Sequence, residues 1–125
     1  MQYIDAGHVI LLKVVIEYID RHGEPPSTLQ IFDPQTRSGL YNAFLAENEI
    51  GAIVAKPIPG NSFLINMVKE LRSVNLLDPG RPHVTPTPQG IMLASTFHPE
   101  NNRPFYIEVN EYGNFDARKV QLPLR

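Results

Sequence analysis

The chain contains no cysteine and no tryptophan. Without cysteine there is no disulfide framework, no thiolate nucleophile and no Cys-based zinc site, and a cytoplasmic setting is expected. Positive charge is scarce as well. Eleven Lys and Arg stand against thirteen Asp and Glu, for a net charge of −2. That balance excludes the strongly basic class of nucleic-acid proteins. The apolar run from Val9 to Ile19 is interrupted by Lys13 and Glu17 and falls short of the roughly 20 residues a membrane-spanning helix needs. No basic region precedes it and no small-residue cleavage site follows it, so neither a membrane partner nor a signal peptide is expected. Gly51, Gly60 and Gly80 stand alone, which leaves no glycine-rich phosphate loop. The four histidines (His8, His22, His83, His98) are scattered, and no Ser, His and Asp form a recognisable arrangement. Glu47 and Glu49 read as solvated carboxylates near a helix end. His83, His98 and Glu100 lack any fixed ligand spacing. No catalytic residue, metal or cofactor is expected, and the chain does not read as an enzyme.

What is present suffices for one domain. In 125 residues, 42% are hydrophobic, enough for a real core and too many for a disordered chain. Asp5 can cap a first helix running to about His22, with Gly23 placed to end it. Val9, Leu12, Ile16 and Ile19 form one apolar stripe on this helix, and Leu11, Val15 and Tyr18 form another. Both faces need cover. Ser27 to Phe32 alternates and reads as extended, while Asp33-Pro34 opens a second helix to about Glu47. Residues 50–60 read as a short strand and a loop. Asn61 or Ser62 caps a third helix to about Val74, with Leu64, Val68 and Leu71 facing inward. Leu76-Leu77 and His83-Val84-Thr85 flank an Asp78-to-Pro82 turn, and Thr87-Pro88 opens a fourth helix. Pro104 to Val109 and Phe115 to Leu122 alternate around Glu111-Tyr112-Gly113-Asn114, the pattern of a β-hairpin. Tyr106, Tyr112 and Phe115 stiffen that hairpin and pack it on the body, with base stacking as the other use for them.

The segment VTPTPQGIMLA, preceded by ELRSVNLLD, resembles the bacterial winged helix-turn-helix regulators. The motif positions are Leu76-Leu77-Asp78 for the strand and Thr87-Pro88-Gln89-Gly90 for entry to the next helix. The resemblance covers residues 8–96 in element order, with its sharper motifs in 68–94. It implies an α+β fold: a winged-helix domain over residues 1–98, and a C-terminal β-hairpin extension over 99–125 that packs on the same domain or on a dimer partner. It also makes the third helix a recognition helix. Ser62, Asn66, Lys69, Arg72 and Ser73 would then face double-stranded DNA, Arg81 would sit in the wing, and Arg37 could touch phosphate.

The expected function is a small DNA-binding transcriptional regulator, with paired third helices reading a two-fold site. The second apolar face of the first helix, Leu11, Val15 and Tyr18, would form the homodimer interface. The alternative is a protein-interaction or assembly module on the same scaffold without DNA affinity. Sparse basic charge and some thirteen residues between the second and third helices favour it, since a helix-turn-helix turn takes about 3–4. The one positive stretch is 50–99, where Lys56, Lys69, Arg72 and Arg81 face Glu70 and Asp78.

Overall fold

A computed structural model of the chain describes residues 2–31, 40, 41, 44, 61–80, 82–97 and 106–116. Its described elements run β1 (Gln2–Asp5), α1 (Ala6–His22), α2 (Thr28–Ile31), α3 (Asn61–Ser73), α4 (Pro88–Thr96) and β2 (Tyr106–Val109). The fold is α+β. Among the described residues no helix is long and apolar enough to cross a membrane.

α1 begins and ends where its capping residues dictate. The Asp5 carboxylate accepts from His8 N–H, and Gly23 closes the helix in the left-handed region. From Ala6 to Leu12 every residue is buried, and Val14 and Val15 continue the buried run. Leu11 and Val15 are 0% exposed within the single chain. The homodimer face expected there is thereby corrected: both side chains already lie in the core cluster with Ile4, Leu71, Leu93 and Ile107. Tyr18 is half-buried, with its hydroxyl accepting from Gln30 Nε2 at 2.8 Å and its ring 4.2 Å from that of His22.

Two strand expectations change. Ser27 to Phe32 does not run extended, because Thr28–Ile31 forms one helical turn. The cause is a reciprocal cap. Ser27 Oγ accepts from Gln30 N–H at 3.3 Å, and Gln30 Oε1 accepts from Ser27 N–H at 2.8 Å. Of the expected C-terminal hairpin, the described residues show a bridge between Val109 and Phe115. β2 also pairs with β1, antiparallel, with Gln2 opposite Val109 and Ile4 opposite Ile107. An isolated hairpin is marginal in water. Pairing with β1 buries Ile4, Ile107 and Val109 together and leaves Tyr3 and Tyr106 outside. The second half of the expected hairpin, 117–122, lies outside the described residues. So do the 50–60 strand and most of the second helix, of which 40, 41 and 44 are helical.

The stretch from α3 to α4 is tied together through the backbone. Asp78 N–H donates to Thr85 O at 2.8 Å, and Thr87 N–H to Leu76 O at 3.2 Å. Val84 N–H donates to Pro26 O and Thr28 N–H to Pro82 O, with bridges Ser27–His83 and Leu77–Pro86. Thr87 Oγ1 accepts from Gly90 N–H as the α4 cap and donates to Asn75 O. Gly90 is required by contact: a Cβ there would collide with the Leu76 carbonyl oxygen and sit 3.1 Å from its carbon. Gly113 is required by conformation, with φ +84°, and the turn it closes packs on Val74 and Asn75. Gly90→Ala is therefore expected to destabilise the fold by about 1–3 kcal/mol through overpacking, read as a lower urea midpoint with unchanged slope.

Candidate functional site

The periodicity of α3 sorts its faces. Leu64, Met67, Val68 and Leu71 are buried at helical spacing. Ile65, Asn66, Lys69 and Ser73 are exposed, Ile65 at 40%. Asn66, Lys69 and Ser73 therefore stand where the sequence puts them, on one outward surface. Glu70 shares it: its side chain is 38% exposed and lies one turn beyond Asn66. Ser62 falls within α3, but its side chain is outside the described set, as are Arg37 and Arg81.

Arg72 is corrected. Its guanidinium turns back over the 78–83 segment, where Nε donates to Asp78 O at 3.1 Å. Its Nη2 donates to Gly80 O at 3.2 Å and His83 O at 3.3 Å. A planar fork matched to three carbonyls fixes the turn against the helix end. The outward spacing of position 72 left this use hidden, because carbonyl acceptors in a following turn carry no side-chain signal.

His8 is the polar residue that the sequence does not flag. It is 6% exposed, the buried polar member of the described core. Its Nε2 lies 2.9 Å from Glu70 Oε2, across from α1 to α3. Its Nδ1 lies 3.0 Å from Asp5 N and 2.9 Å from Asp5 Oδ1. Those two contacts require opposite protonation states. Neutral at Nδ1, the ring accepts from Asp5 N–H; protonated there, it donates to the Asp5 carboxylate. Burial pulls the His8 pKa down, but the hydrogen bonds and charges of Asp5 and then Glu70 outweigh it, so the net direction is up. Burial raises the Asp5 carboxyl, and the hydrogen bond and charge of His8 carry it below its ordinary value. Next to them the Tyr41 hydroxyl donates to Gly7 O at 3.4 Å. Burial and the Asp5 charge push that phenol up. The signal for this cluster is D-x-x-H at a helix start, with histidine where a capping box usually holds Glu or Gln.

Between α1 and α4 runs an apolar groove of about 340 Å³ lined by Ile16, Phe44, Ile91 and Ala94, with Lys13 and Asp20 at its border. Beside it Ile91 and Met92 are exposed at 48% and 61%. Among the described residues no group of three or more His, Cys, Asp or Glu could hold a metal ion. In comparisons with known proteins the chain matches no family model, no curated protein and no solved structure. If Arg72 is a structural clamp, Arg72→Ala costs about 1 kcal/mol, and Arg72→Lys restores little because one ammonium cannot span three carbonyls. Urea unfolding of both variants measures this.

Proposed function

We propose that this chain is a winged-helix domain acting as a protein-interaction or assembly module. Support for the scaffold is the order helix, bridged segment at Ser27, helix, α3, Leu77, turn, His83 to Pro86, α4. In it the residue before α2 and the two sides of the turn after Leu77 meet through isolated bridges, Ser27 with His83 and Leu77 with Pro86, in the place a wing takes beside a recognition helix.

The observation that carries the functional choice is Arg72. With its guanidinium spent on three turn carbonyls, Lys69 is the cation left on the outward side of α3 among the described residues. Beside it stand Ile65, Asn66 and the Glu70 carboxylate. A surface mixing one cation, one anion, an amide and an aliphatic side chain suits a protein contact. It suits phosphate poorly, because each phosphate contact needs a cation and an acid nearby opposes it. The regulator reading keeps Asn66 and Lys69, which are one turn apart and free to meet a base edge and a phosphate.

A mobility-shift assay separates the two. Mixed-sequence duplex at about 50 mM salt is expected to show no retardation at protein concentrations up to about 100 μM, the weak end of non-specific binding. A photocrosslinking residue at position 65, in cells, is expected to give one discrete protein adduct that Lys69→Glu weakens. Salt-sensitive retardation that Lys69→Glu abolishes would overturn the module and restore the DNA-binding regulator.

A further inference from the structure

His8 joins two elements through the same ring. Asp5 closes β1 and caps α1, while Glu70 lies on α3, 62 positions later. The ring between them is buried, whereas both carboxylates are partly exposed, Asp5 at 42% and Glu70 at 38% of their side chains. A doubly protonated imidazole satisfies both carboxylates at once, with Nδ1–H on Asp5 Oδ1 and Nε2–H on Glu70 Oε2. A neutral ring has one N–H. Its Nδ1 then accepts from the Asp5 amide, 3.0 Å away, so the ring no longer donates to the Asp5 carboxylate, and the Nε2–H that remains meets Glu70 without a positive charge behind it.

We propose that Asp5, His8 and Glu70 form a proton-controlled latch, in which the imidazolium clamps α3 to the start of α1 and loss of its proton weakens the hold on Glu70 and loosens α3. Both arms weaken when the charge goes, Asp5 by losing the ring donor and Glu70 by keeping only a neutral one. The Asp5 carboxylate keeps a second donor, the His8 backbone N–H at 3.2 Å, whatever the ring does. The charged and titratable groups around the ring come from four further parts of the chain. Asp5 belongs to β1 and Glu70 to α3. Tyr41, from the helical residues at 40–44, lies against Gly7 with its phenol held neutral. β2 places Tyr106 opposite Asp5 in the strand pairing. The one cation close by in sequence, Lys69, is exposed on the outer side of α3. Both charges facing the ring are therefore negative, which makes the protonated form the holding form. The latch does not depend on what α3 binds.

The sign follows from the raised folded-state pKa of His8. The extra stability is fully present below the ordinary value of 6.5 and is lost as pH rises through the higher folded value. Nitrogen-15 NMR of the His8 ring from about pH 5.5 to about pH 9 reads the charge directly. Hydrogen exchange of the α3 amides, corrected for intrinsic rate, reads the hold. Protection of α3 is expected to fall on the alkaline side, about tenfold for each unit by which the His8 midpoint exceeds 6.5. The α4 amides are expected to keep theirs.

His8→Gln preserves the acceptor for the Asp5 amide, as Gln does in a capping box, and removes the charge. Its α3 protection is expected to be low and independent of pH. Glu70→Gln keeps an acceptor oxygen and is expected to lower the His8 midpoint and shrink the alkaline loss. A neutral His8 ring at pH 6, or a His8→Gln variant whose α3 protection follows the wild-type pH course, would overturn the latch. If His8→Gln does not fold, the wild-type titration paired with Glu70→Gln decides, and an unmoved His8 midpoint in Glu70→Gln sinks the proposal.

Discussion

A helix apolar on two faces has to be enclosed, and the enclosure of α1 is the constraint on which the rest of the structure depends. From Ala6 to Leu12 every residue of α1 is buried. The elements around it supply the cover. β1 pairs with β2 at its start, α4 lies along it, and α3 is held to it through His8 and Glu70. Burying an unbroken run of aliphatic side chains contributes about 1.5–3 kcal/mol for each large one. The placement of an ionisable ring among them is tolerable only because both its nitrogens have partners.

The elements that could be read from the residues were those with local punctuation. Asp5 and Gly23 bound α1 where capping chemistry predicts, and Thr87-Pro88 opens α4 with Gly90 two positions on. The T-P-x-G signature has a physical content that spacing alone does not reveal, namely that the α4 backbone touches Leu76. What misled was competition between two valid local signals. S-T-L-Q-I-F alternates like a strand, but Ser27 and Gln30 cap each other, and one hydrogen-bonded turn outweighs a weak β preference.

Non-local facts were not legible. Nothing in Tyr106 to Val109 announces that Gln2 to Asp5 is a partner. The second stripe of α1 signalled a need for cover but not its source, and for Leu11 and Val15 the chain itself supplies it. Helical spacing placed Arg72 outside the core, and it is outside; only the turn it grips decides that its charge is occupied. Of the candidate face, Asn66, Lys69 and Ser73 kept their expected exposure. His8 stood among four scattered histidines until the fold brought Glu70 to it.

The pairing of Gln2 with Val109 bears on how the chain is made. A ribosome releases β1 and α1 long before the strand that pairs with β1. Until then Ile4 has no partner strand. α1 carries unshielded apolar surface through most of synthesis, and the domain cannot close from one end to the other as it emerges. Contacts this distant in sequence slow folding and prolong the interval in which nascent chains associate wrongly. A truncation before Tyr106 would hold the chain in that state indefinitely.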